Sequence, residues 1–128
     1  MKKFITLFLI VLLCGIVILL QSYIKRRVAQ VKAAENETAA IRNAVIAYRD
    51  EYGVPLSPNN DVFQVLSGSD NLRKICFMSH ADPDHWAENR YIDPWGQPYF
   101  IDLTLPDKPK VFSWGPDGYQ STDDIISR

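Results

Sequence analysis

Oxygen ligands are the first chemistry the sequence offers. Asp117, Asp123 and Asp124 fall on one short stretch that also carries Gly115 and Gly118. Calcium takes roughly six to eight oxygens from carboxylates and carbonyls on a loop able to curl around it, and this stretch could supply them. The same aspartates also fit a solvated acidic turn. A second group is His80, Asp82, Asp84 and His85. Imidazole and carboxylate can hold zinc or iron, but Pro83 separates the aspartates and no further ligand is evident, so a solvated loop is expected. Cys76 has His80 four positions on. A nucleophile needs a base held by a third group, and none is marked, so Cys76 reads as a small apolar core side chain. No glycine-rich phosphate loop, Ser-His-Asp order or pair of catalytic carboxylates can be argued. The chain is expected to be no enzyme and to take no small-molecule substrate.

These residues need elements to hold them, and 128 residues leave room for one domain at most. Much of that length is apolar. Phe4 to Leu20 is interrupted only by Thr6, and Gln21, Ser22, Tyr23 and Ile24 extend the run to twenty-one residues. A bilayer core about 30 Å thick takes roughly 20 helical residues, so residues 1–24 read as a transmembrane anchor and a membrane as the first partner. The basic start, Lys2 and Lys3, also suits a cleaved signal peptide. Between Leu12 and Ile24, however, no good pair of small residues marks a cut. Cys14-Gly15 distantly resembles a lipoprotein site, but Leu13 is bulky for the position before the cysteine. Orientation divides the signals. Lys25, Arg26 and Arg27 after the span outnumber Lys2 and Lys3 before it by one, a weak preference for the larger group in the cytoplasm by the positive-inside rule, and charge counting alone does not settle the orientation.

Residues 25–128 hold 12 basic and 15 acidic side chains, a net charge of −3. That argues against nucleic acid, which attracts a basic face. Cys14 lies in the apolar run and Cys76 beyond it, so no disulfide framework is possible.

No helix breaker follows the apolar run. Residues 25–52 are rich in Ala, Lys, Arg, Glu and Gln, and Ile41, Ala44, Val45, Tyr48 and Tyr52 repeat as one apolar stripe. Gly53 and Pro55 end it, giving a helix from about residue 4 to residue 52. Its amphipathic half must bury that stripe. Pro58-Asn59-Asn60-Asp61 offers caps for a short helix, Val62 to Leu66, closed by Gly68. Residues 53–92 form a variable region, irregular over 69–92 apart from an apolar patch of Leu72, Ile75, Phe77 and Met78. Residues 93–128 carry the Asp93-Pro94-Trp95-Gly96 turn, strands at Tyr99 to Leu103 and Val111 to Trp114 joined through Pro106-Asp107-Lys108-Pro109, and a terminal loop. The fold class is α+β, a long helix laid against a small antiparallel sheet. The expected core is Ile41, Val45, Tyr48, Phe63, Leu66, Trp95, Tyr99, Ile101, Val111 and Phe112. Cores of this size are marginal without a staple, and with no disulfide a metal ion is the obvious substitute.

Three features now occur in order: an apolar segment running into Ala47-Tyr48-Arg49-Asp50-Glu51-Tyr52-Gly53, then Asp93-Pro94-Trp95-Gly96-Gln97-Pro98-Tyr99, then Ser113-Trp114-Gly115-Pro116-Asp117-Gly118 followed by Thr122-Asp123-Asp124-Ile125. Together they resemble the major pseudopilin of type II secretion systems, within the type IV pilin-like superfamily. The resemblance spans most of residues 25–128, with 69–92 least matched. It implies a pilin-like exported domain in the periplasm on an inner-membrane anchor, and a filament subunit whose partners are other pilin-like subunits met through the N-terminal helix. It also implies a calcium ion in the terminal loop. Asp117 matches a carboxylate ligand and the Trp114 carbonyl a main-chain ligand. Beyond them the match loosens: the family often has two carboxylates separated by one residue, where Asp123 and Asp124 are adjacent here. Asp124 first, then Asp123, with the Gln120 carbonyl nearby, are the further ligands expected. The chain departs from the family at the other end. Gly15-Ile16 imitates a leader cleavage point, yet the fifth residue after Gly15 is Leu20 where the family has Glu, and no acidic residue precedes Glu35. This supports the alternative of a stand-alone, membrane-anchored binding module that keeps the fold without polymerising. A metal-dependent enzyme using His80, Asp82 and His85 is a third reading.

Overall fold

The computed structural model describes residues 1–59, 61–78, 86–87, 90–122 and 124–127, with residues 2, 3, 86 and 87 described by backbone alone. Helix α1 runs unbroken from Lys2–Tyr52. Its interior holds no proline and a single glycine, Gly15, so nothing interrupts the backbone ladder. It stops where expected: Gly53 takes a left-handed φ of 69° and donates its N–H to the Arg49 carbonyl at 2.8 Å, with Pro55 beyond.

The chain forms two compact units, Met1–Gln30 and Val31–Arg128. In the first, every large apolar side chain from Phe4 to Ile24 is at least 46% exposed. The run is therefore not a core helix of this chain. It is long and apolar enough to cross a membrane.

The second unit buries one face of α1. Ala34, Thr38, Ile41, Ala44 and Val45 are all nearly inaccessible, a spacing that keeps them on one stripe. The face begins two turns before Ile41, where the expected stripe started. Ala34 and Thr38 are small, and neither stands out by hydropathy. Thr38 loses no hydrogen bond by burial, because its hydroxyl donates to the Glu35 carbonyl at 3.0 Å.

Helix α2, Val62–Leu66, follows with Asp61 as its N-cap, the carboxylate accepting from Gln64 N–H at 3.3 Å. Gly68 after it adopts φ 87°, and a Cβ there would come within 3.1 Å of the Ile75 backbone. Residues 69–78 are fastened by a buried side chain, Asn71. Its amide donates to the carbonyls of Val65 and Ile75, both at 2.7 Å, and its oxygen accepts from the Tyr52 hydroxyl at 2.9 Å. Phe77 and Met78 pack against the core, whereas Leu72 is 91% exposed, so only part of the expected apolar patch is buried. Cys76 is exposed, not a core side chain as expected.

The stretch expected to be irregular contains a small antiparallel pair, β1 at Trp86–Ala87 and β2 at Arg90–Tyr91. Strands of two residues are too short to show alternation. A three-stranded antiparallel sheet follows: β3 at Phe100–Asp102, β4 at Lys110–Ser113 and β5 at Ile125–Ile126, in the order β3-β4-β5. The expected hairpin is its first pair, with Ile101 opposite Val111. The third strand was expected to be loop.

Two clusters make the core. Ile41, Phe63, Tyr91, Tyr99 and Val111 form one, and Ala44, Val45, Leu56, Val65 and Leu66 the other. They join α1 to the sheet and to α2. Tyr48 and Ile101 pack at the margin. Trp95 and Phe112 are only half-buried and belong to neither cluster. Alternation explains Phe112: Val111 and Ser113 point inward, so Phe112 takes the opposite face. There Phe100 stacks between Phe112, at 5.5 Å between ring centres, and Trp114, at 4.1 Å.

Candidate functional site

The terminal loop starts where β4 ends. Gly115–Asp117 makes a single 3-10 turn with Pro116 near its start, and Gly118 closes it in the left-handed conformation with φ 70°. A residue with a Cβ is disfavoured there. Asp117 then organises the chain that follows. Its Oδ1 accepts from Tyr119 N–H at 2.9 Å, and its Oδ2 accepts from the Ser121 hydroxyl at 3.0 Å. Asp124 reaches back to the same residue, accepting from Ser121 N–H at 3.0 Å. The loop is thus folded around Ser121, with one carboxylate from each side.

The structure therefore gives Asp117 and Asp124 a common partner, Ser121. Asp117 is exposed and Asp124 half-buried, and Gln120 is exposed at the loop tip. Trp114 is half-buried in its stack on Phe100. Asp123 lies outside the described residues, as do His80, Asp82, Asp84 and His85. Among the described residues no group of three or more His, Cys, Asp or Glu side chains is placed to hold a metal ion. The donors that are present, carboxylate, hydroxyl and carbonyl oxygens, suit a hard cation. The described residues supply two of the three expected carboxylates, and both are engaged by Ser121.

Beneath the loop lies a polar node that sequence reasoning missed. Asp93, 4% exposed, accepts at Oδ1 from Trp95 N–H at 3.0 Å and Gln97 N–H at 2.8 Å. Its Oδ2 accepts from the hydroxyl of Ser113, which is fully buried. The Ser113 oxygen in turn accepts from Gly115 N–H at 3.0 Å. One carboxylate and one hydroxyl thus join the 93–97 turn, β4 and the start of the terminal loop. A signal for it was present: Ser113 holds an inward position next but one to Val111, where an apolar residue would be usual.

A second, part-buried contact ties the residue just before β3 to α1. The Tyr99 hydroxyl donates to the Glu37 carboxylate. Burial pushes the Tyr99 hydroxyl far above the ordinary tyrosine range, and the bond to Glu37 and the charges of Glu37 and Asp93 add to this. Tyr91 donates to the Met78 carbonyl at 3.0 Å, and burial first, then the neighbouring Cys76, pushes it up to about 12.

No family model, curated protein or solved structure matches the chain. The fold and loop define an α+β domain carried on a helix whose first half has the length and polarity of a membrane span.

Proposed function

We propose that this chain is a structural, pseudopilin-like subunit of a type II secretion or type IV pilus-like apparatus. Residues 1–24 anchor it in the bacterial inner membrane, and residues 25–128 form the pilin-like domain in the periplasm. The observation that carries this reading is the single helix α1: its apolar part offers exposed side chains to lipid or to neighbouring helices, and its later part is the spine of the domain. The order of the Asp93-Pro94-Trp95-Gly96 turn and the Gly115-Pro116-Asp117-Gly118 loop supports it further. Partners are other pilin-like subunits, met through the N-terminal helix. In this reading calcium stabilises the terminal loop through Asp117 and Asp124, with Asp123 and the Trp114 and Gln120 carbonyls. The role is structural, without catalysis.

The alternative, a stand-alone anchored module of the same fold, is favoured by one observation: no acidic residue occurs before Glu35. An acidic side chain within an apolar span is costly and usually functional, so a subunit without one lacks that assembly contact. The intact mass of the protein extracted from alkaline-washed native membranes decides between them. A chain shortened at Gly15 supports filament assembly. A full-length chain supports the stand-alone module, and absence from the washed membrane contradicts both.

A further inference from the structure

The cations at the end of the apolar run are used by nothing described above. Lys25, Arg26 and Arg27 follow Ile24 directly, and all three are exposed. No acidic residue lies among the first 34 positions. Among the described residues none of the three forms an ion pair; the first along α1 is Lys32 with Glu35, at 3.7 Å. Successive helix positions are about 100° apart, so three in a row fan around more than half the circumference. Helix side chains lean toward the N-terminus, here back toward the apolar run. Arg27 does this, its guanidinium carbon lying 5.7 Å from the centre of the Tyr23 ring one turn earlier. Tyr23 is itself exposed, an aromatic side chain with a polar tip of the kind found at the membrane–water boundary.

We propose that Lys25, Arg26 and Arg27 form a collar that binds anionic phospholipid headgroups in the leaflet from which α1 emerges. The inference rests on the reading of residues 1–24 as an anchor. It follows from charge: three cations without a counter-ion among the described residues, aimed at the end of a membrane-length apolar run, meet lipid phosphates there. Each basic side chain near an anionic surface contributes roughly fivefold, so the three together contribute on the order of a hundredfold at low salt. The preference falls as salt screens it.

The test uses the full chain in a neutral detergent, offered dioleoylphosphatidylglycerol or dioleoylphosphatidylcholine, with retained lipid counted by native mass spectrometry. The parent is expected to retain the anionic lipid about tenfold or more over the zwitterionic one. The triple variant Lys25→Gln, Arg26→Gln, Arg27→Gln loses that preference. Lys108→Gln, which removes an exposed cation elsewhere, keeps it. Equal retention of both lipids by the parent, or an unchanged preference in the triple variant, overturns the collar. Anchoring is read separately, from the alkaline-washed membrane pellet. Loss of both parent and triple variant to the soluble fraction overturns the anchor, and the collar with it.

Discussion

Ser113 and Asp93 show how much a small buried contact can organise. Removing the hydroxyl by Ser113→Ala leaves one oxygen of a buried carboxylate and the Gly115 N–H without that partner. Leaving buried polar groups unpaired costs about 1–3 kcal/mol, and denaturant unfolding of the full chain in detergent should show a loss of that size. A change within a few tenths of a kcal/mol would mean that the node contributes nothing. Tyr99 gives a pH test. Its hydroxyl is held protonated in the fold, while an unfolded tyrosine titrates near its ordinary value of about 10. The folded pKa is the higher one, so the stabilisation is complete below pH 10 and is lost as pH rises beyond it. The melting temperature should therefore fall above pH 10, and less steeply in Tyr99→Phe. Tyr91, pushed up to about 12, adds to the same fall in both proteins. Asp117 carries the metal proposal. Calcium at about 100 times its dissociation constant would stabilise by about 2.7 kcal/mol, raising the melting temperature of the parent but not of Asp117→Ala. If the two proteins respond alike to calcium and to its chelation, the metal role of Asp117 is wrong.

Among elements, α1 sets most of the architecture, and it was the most legible part of the sequence. No proline interrupts Lys2 to Tyr52, the apolar run has the length of a span, and residues 25–52 are rich in good helix formers. Ile41 is the centre of its buried face, fully inaccessible and packed with Phe63, Tyr91, Tyr99 and Val111. Ile41→Ala should cost about 2–5 kcal/mol through the cavity it leaves, whereas Leu72→Ala, on a side chain that is 91% exposed, should change stability little. Thermal unfolding of both variants checks the assignment of inside and outside. The β3–β4 hairpin was legible because aromatic and branched residues flank a proline-bounded turn. Strand β5 was not, because two isoleucines have no period and are strands only by pairing with β4. The same limit hid the site's support. Asp117 and Asp124 could be picked out by type and spacing, but their meeting at Ser121 depends on how the loop turns at Gly118. Asp93 and Ser113 are twenty residues apart, and only the tertiary fold makes them partners.

At the scale of the whole molecule the two units ask for different surroundings. Val31–Arg128 has its own core and a closed polar node. Met1–Gln30 exposes a continuous apolar surface that water does not tolerate. Lipid satisfies that surface, and so do helices of neighbouring subunits; the proposed subunit uses both. The most direct measurement is photo-crosslinking from single positions along residues 4–24 of the full-length protein in its native membrane. The structural-subunit account predicts a ladder of adducts to copies of this chain or to other helix-anchored subunits, strongest from one face of α1. Crosslinks to lipid alone from every position would contradict it and leave an anchored module that works by itself.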